Sequence, residues 1–200
     1  MFRSALLLVN GPGELWGWAR PLLVELQRRK VHVAVRLLPC QFSSGRERAA
    51  LGSFSGLHVV GPGGALATLL AREERTAVSE GVPPPEVLYQ MGGDLWMGRS
   101  LAKRFRVPLV TYSYAPKKGM RDRALVSTAF AEMLPAFHRA GISPHLVGDL
   151  VKDALRLDEK QGNVSPWRRK GAFRIVLFPG SRPAIRNAAR AFLRRTVEHL

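Results

Sequence analysis

Apolar runs of strand length recur along this chain at residues 5–9, 31–38, 57–60, 86–91, 107–112, 145–148 and 173–178. Most are separated by segments long enough to form a helix. Strands connected through helices run parallel, and parallel strands bury both faces, so the alternation predicts an α/β fold built on a parallel sheet with flanking helices. An apolar content of 46% over 200 residues is ample for such a core. Between the first two runs, Leu15, Ala19, Leu22, Leu23 and Leu26 form one helical stripe, and Arg20, Arg28 and Arg29 are expected on the opposite, solvated face. Phe130, Met133, Leu134 and Phe137 repeat that pattern ahead of Ala140-Gly141, a helix stop.

Periodicity fades over residues 158–171, where charge, Gly, Ser and Pro gather. This divides the chain into a domain at 1–157, a linker at 158–171 and, at 172–200, the first strand, turn and helix of a second domain that is incomplete here. The second unit opens with the apolar run 173–178, which breaks at Pro179-Gly180-Ser181-Arg182. Gly180 permits close backbone approach, Ser181 and the next helix's amides can donate to a phosphate, and Arg182 can meet its charge with two parallel hydrogen bonds.

In an open parallel sheet, ligands collect beyond the carboxyl ends of the strands, so the turns there are the place to search. The first is Asn10-Gly-Pro-Gly-Glu-Leu-Trp-Gly17, in which Gly13 admits a ligand and Glu14 stands at a helix start. Its Gly-x-Gly-x-x-x-Gly spacing departs from the dinucleotide fingerprint, and Pro12 removes an amide that a pyrophosphate would use. Glu14 is open to two readings, a ligand-facing carboxylate or a first-turn acid favoured by the helix dipole. The second turn, Met91-Gly-Gly-Asp-Leu-Trp96, places Asp94 either as a helix cap or as a general base, and both roles need the same position. The third, around Gly148-Asp149, offers another acid that can be a cap. A basic loop holding Lys117, Lys118, Arg121 and Arg123 is either solvated or able to hold a phosphorylated acceptor.

A formal charge of +16 suggests anionic partners, although a generally arginine-rich surface explains it equally well. The basic residues are not interleaved with aromatics on one element, so no specific nucleic acid is expected. The single cysteine, Cys40, excludes an internal disulfide and fits a reducing compartment, where it reads as a packed small side chain. The run at 5–9 is too short for a signal segment or a span, so a cytoplasmic location is expected. Five scattered histidines give no metal-ligand spacing, and no metal or cofactor is expected.

Four segments in order resemble the amino-terminal half of lipid-A-disaccharide synthase, a glycosyltransferase of the two-Rossmann-domain (GT-B) type. They are residues 9–29, Pro85-Glu-Val-Leu with Gly93-Asp94, the stretch 145–154, and Phe178-Pro-Gly-Ser-Arg182. Leu-Trp-Gly stands where the family has Ser-Gly-Asp in its first loop, and Gly148-Asp149 where it has Gly-His, so the chain resembles a divergent relative. The resemblance implies a Rossmann-like fold and an inverting, metal-independent transfer of a sugar from a UDP-sugar to a lipid-linked or phosphorylated sugar acceptor. In that scheme the amino-terminal domain holds the acceptor; with the turns read as above, Asp94 is the candidate catalytic base, Gly13, Glu14, Gly93 and Asp149 the candidate acceptor contacts, and Gly180, Ser181 and Arg182 the candidate donor-phosphate contacts. The resemblance also implies peripheral contact with an anionic membrane face. The alternatives are a sugar-nucleotide epimerase of related architecture and a non-catalytic binding module.

Overall fold

The computed structural model describes residues 2–41, 43–121, 123–160, 177 and 183–198. The chain divides into two compact units, residues 1–162 and 163–200. In the first, seven parallel strands form one sheet: β1 (Ser4–Val9), β2 (His32–Leu37), β3 (His58–Val60), β4 (Val87–Gln90), β5 (Leu109–Tyr112), β6 (Leu125–Thr128) and β7 (His145–Leu146). Their order across the sheet is β3-β2-β1-β4-β5-β6-β7. The helices are α1 (Pro12–Glu14), α2 (Arg20–Arg28), α3 (Glu47–Leu51), α4 (Ala65–Leu69), α5 (Arg72–Ser79), α6 (Leu95–Phe105), α7 (Leu134–Arg139) and α8 (Leu150–Lys160). A π-helical turn, Leu15–Ala19, joins α1 to α2. Residues 158–160 of the expected linker are therefore the last turn of α8. In the second unit the described structure is essentially one helix, α9 (Pro183–Glu198). The expected strand at 173–178, apart from Leu177, and the phosphate turn Gly180-Ser181-Arg182 lie outside the described residues.

Every residue of β1 is buried, which is the signature of a central strand covered on both sides. Ala5, Leu7 and Val9 pack with Leu15, Ala19, Leu23 and Leu26 beneath α2, while Leu6 and Leu8 pack with Leu88, Leu101 and Leu109 beneath α6. The predicted stripe on the first helix thus faces the core. Arg20, however, is buried at 5% exposure rather than solvated. The π-helical turn inserts an extra residue into the winding and so rotates α2 about its axis, and α8 covers the face that Arg20 then occupies. Arg20 donates to Asp158 Oδ1 at 2.7 Å and to the Ala154 carbonyl at 2.5 Å, and its guanidinium lies 3.8 Å from the Trp16 ring centroid.

β6 is absent from the strands that periodicity predicts. Four residues, Leu-Val-Ser-Thr, come after a charged loop and show no alternation of their own; pairing of Val126 with Thr111 and of Ser127 with Tyr112 makes them a strand. The second expected stripe is also shorter than its pattern. Phe137 is fully buried with Met120, Val126 and Ile142, whereas Phe130 precedes the helix and is 37% exposed.

Candidate active site

Strands β1, β2 and β3 are laid outward in one direction and β4 to β7 in the other, so the switch point falls between β1 and β4. At that place two adjacent parallel strands send their succeeding helices to opposite faces, and a crevice opens beyond their carboxyl ends. The turn after β1 carries Asn10, Gly11, Gly13 and Glu14, and the turn after β4 carries Gly92, Gly93 and Asp94. A methyl at Gly92 would sit 3.0 Å from Glu14 Cγ and 3.4 Å from Asn10 Cβ. One at Gly11 would sit 2.9 Å from Glu14 Oε2 and 3.6 Å from Cys40 Sγ. The structure therefore brings Glu14, Asn10, Cys40 and the Gly92-Gly93 pair into one crevice. At Gly13 a methyl meets nothing within 4 Å, so this part of the backbone is open to a ligand.

The carboxylates around this crest are not equivalent. Asp94 Oδ1 accepts from the Trp96 amide at 2.7 Å and caps α6. Gln90, fully buried at the end of β4, fixes the turn by donating to the Asp94 carbonyl at 2.8 Å and the Gly92 carbonyl at 3.3 Å. Asp149 Oδ1 accepts from Tyr114 Oη at 2.7 Å and from the Val151 amide at 3.1 Å, which makes it the corresponding cap of α8. The Glu14 side chain makes no hydrogen bond or ion pair with a described residue, although it is partly buried. Neither Glu14 oxygen is thus engaged by a described residue, whereas Asp94 and Asp149 each commit Oδ1 to a cap.

Asp149 lies further along the same crest, beyond an aromatic cluster that the sequence did not announce. Trp18, one helical turn after Glu14, packs edge to face on Tyr112 and Tyr114, with ring centroids 5.2 and 4.9 Å away. Phe130 lies 4.9 Å from Tyr114. Tyr114 Oη accepts from Trp18 Nε1 at 3.2 Å while donating to Asp149; Tyr112 Oη accepts from the Leu150 amide at 3.2 Å while donating to the Gly148 carbonyl at 3.1 Å. Burial pushes the Tyr112 hydroxyl up to about 12, and burial together with the bond to Asp149 pushes Tyr114 up as well. Both tyrosines accordingly remain protonated at neutral pH and act as fixed donors that pin α8 to the end of β5. The only local signal for them was an unusual aromatic pair, Tyr112-Ser-Tyr114, at a strand end.

The glycines of the second turn carry a testable geometric demand. Gly93 has φ +75°, and a methyl there would lie 2.7 Å from Leu38 Cδ1. Gly93→Ala is expected to cost about 1–3 kcal/mol through the left-handed backbone and the displaced Leu38. Gly13→Ala, in open space at a helical position, should leave the melting temperature unchanged or slightly raised. Thermal unfolding of the two variants side by side checks this, and equal melting temperatures would refute the packing argument.

Among the described residues, no group of three or more His, Cys, Asp or Glu side chains is placed to hold a metal ion, and no helix is long and apolar enough to cross a membrane.

A seven-stranded parallel sheet with flanking helices and a crest crevice at its switch point defines a Rossmann-like α/β domain of the kind found in proteins of the GT-B fold. The chain is similar in structure to UDP-GlcNAc 2-epimerase from Neisseria meningitidis bound to UDP-GlcNAc, with a TM-score of 0.57, 13% identity, and coverage of 80% of this chain and 50% of that one. It is also similar to UDP-GlcNAc 2-epimerase from Methanocaldococcus jannaschii, with a TM-score of 0.53, 12% identity, and coverage of 80% and 51%. The chain spans about half the length of these solved structures. No protein-family model and no curated protein matches the sequence.

Proposed function

We propose that this chain is the acceptor-side domain of a sugar-nucleotide-dependent glycosyltransferase. The observation that carries the reading is the crevice between β1 and β4, where a carboxylate without a protein partner among the described residues, Glu14, lies beside the open backbone of Gly13 and beneath Gly92. In the reaction an acceptor hydroxyl attacks the anomeric carbon of a UDP-sugar from the face opposite the leaving diphosphate. The hydroxyl proton passes to a base at the crevice, and UDP departs with the bonding electrons. Glu14 is our first candidate for that base, because Asp94 already spends Oδ1 on the α6 cap. Gly13 and Gly93 would then border the acceptor, and Asp149 would shape its far end through Tyr114 rather than bind it directly. For Gly180, Ser181 and Arg182, which lie outside the described residues, the proposed role is the one their sequence suggests, contact with a phosphate of the donor. A lipid-linked or phosphorylated acceptor at an anionic membrane face fits the basic surface.

The similarity in fold to two UDP-GlcNAc 2-epimerases favours one second reading, epimerisation of a sugar nucleotide without any acceptor. The intact protein incubated with UDP-sugars, with and without sugar acceptors, separates the two. Release of UDP only when an acceptor is present, with a new glycosidic product, supports transfer. A sugar nucleotide of changed configuration formed without acceptor supports epimerisation and overturns the proposal.

A further inference from the structure

We infer that the domain carries a second ligand site, specific for a phosphate group, at the amino-terminal end of the sheet, opposite the crest crevice. Between the second half of α6 and the starts of β5 and β6 lies a cleft of about 470 Å³ whose charged lining is entirely basic: Arg99, Lys103, Arg106 and Arg123. Leu109 is the first residue of β5 and Ala124 directly precedes β6, which places the cleft at the amino-terminal ends of these strands. Ala102 and Leu109, both buried, form an apolar floor beneath the cations.

Ordinary structural roles account for only part of this arrangement. Cations in the last turn of a helix complement its negative end, and Lys103 belongs there. Arg99, a full turn earlier, and Arg123, from a different segment, have other interactions within the fold, Arg123 Nη2 donating to the Leu95 carbonyl at 2.7 Å. The side chains of Lys103 and Arg106 make no hydrogen bond or ion pair with a described residue. Arg99 and Lys103, at i, i+4 spacing, share one face of α6, and Arg106 follows as its left-handed C-cap residue on the same cleft, so a bound anion would offset the repulsion among these cations. Guanidinium groups match phosphate oxygens with paired hydrogen bonds, and an ammonium adds a point charge, so a phosphate ester or diphosphate suits this lining. Its source is either a soluble phosphorylated molecule or the headgroup of an anionic lipid.

The test uses the whole 200-residue chain. Inorganic pyrophosphate is titrated calorimetrically, and flotation is measured with phosphatidylglycerol and with phosphatidylcholine vesicles. The variant Lys103→Glu/Arg106→Glu is compared with Arg46→Glu/Arg75→Glu, which makes the same charge change at exposed positions elsewhere. Melting temperatures confirm that both variants fold. The cleft variant is expected to weaken binding at least tenfold and the charge-matched variant less than twofold. Pyrophosphate binding lost in the cleft variant identifies a soluble phosphate; preference for phosphatidylglycerol lost in that variant, without pyrophosphate binding, identifies a lipid headgroup. Equal losses in the two variants, or a wild-type chain that binds neither probe, would overturn the inference.

Discussion

Glu14→Gln in the intact, active protein is expected to lower turnover by about 10²–10⁴-fold, the usual contribution of a positioned general base. The substitution keeps the side chain's size and its contacts with Gly11 and Gly92 while removing the ability to take a proton. Asp94→Asn should behave differently. Asn caps a helix nearly as well as Asp, so the bond to the Trp96 amide survives, and turnover should fall less than tenfold. Steady-state rates with a sugar nucleotide and acceptor decide between them. If Asp94→Asn shows the large loss and Glu14→Gln the small one, Asp94 is the base, as its place at the strand end allows, and Glu14 only lines the crevice.

The largest loss of stability is expected from Arg36→Met. Arg36 is fully buried on β2, donates to Glu73 Oε2 at 3.0 Å and Thr68 Oγ1 at 2.5 Å, and lies 3.2 Å from Glu74 Oε1. Glu74 is itself 4% exposed and has no hydrogen bond to either carboxylate oxygen. Removing the cation strands that carboxylate, at a cost of about 3–5 kcal/mol. Burial already raises the Glu74 carboxyl above its ordinary value of 4.5, and the Arg36 charge opposes that rise. A raised folded-state value means that the folded protein holds this proton more tightly than the unfolded chain. The stability it brings is therefore complete below the unfolded value and is lost as pH climbs through the folded one. Without Arg36 the upward shift grows, so the variant's deficit should be greatest near neutral pH and shrink as the solution is acidified. Denaturant unfolding across that range measures it. A deficit independent of pH would show that Glu74 does not carry the effect.

Much of the fold was legible because its signals are local. A strand buried on both faces must be apolar throughout, as β1 is, and the turns after β1 and β4 must carry small residues and helix starts. For Glu14 and Asp94 the sequence leaves a structural and a chemical role open for the same reason: an acid at a helix start satisfies either. Only the hydrogen bond to Trp96 and the lack of any described partner on Glu14 separate them. Arg20 escapes helical periodicity because that pattern assumes regular winding, whereas a π-helical turn and the docking of α8 turn the side chain inward. The short strand β6 escapes because four residues are too few to show a period.

The sequence by itself determined the class of fold, the parallel direction of the strands and the crest turns where chemistry can occur, since these depend on burial, crossover length and backbone freedom along short stretches. The tertiary structure alone decided that β1 and β4 are neighbours, that Gly92 therefore lies against Glu14 and Asn10, and that Tyr112, Tyr114 and Trp18 meet at the start of α8. Strand order and helix rotation are settled by packing between residues far apart in the chain, and no local pattern of residues carries that information.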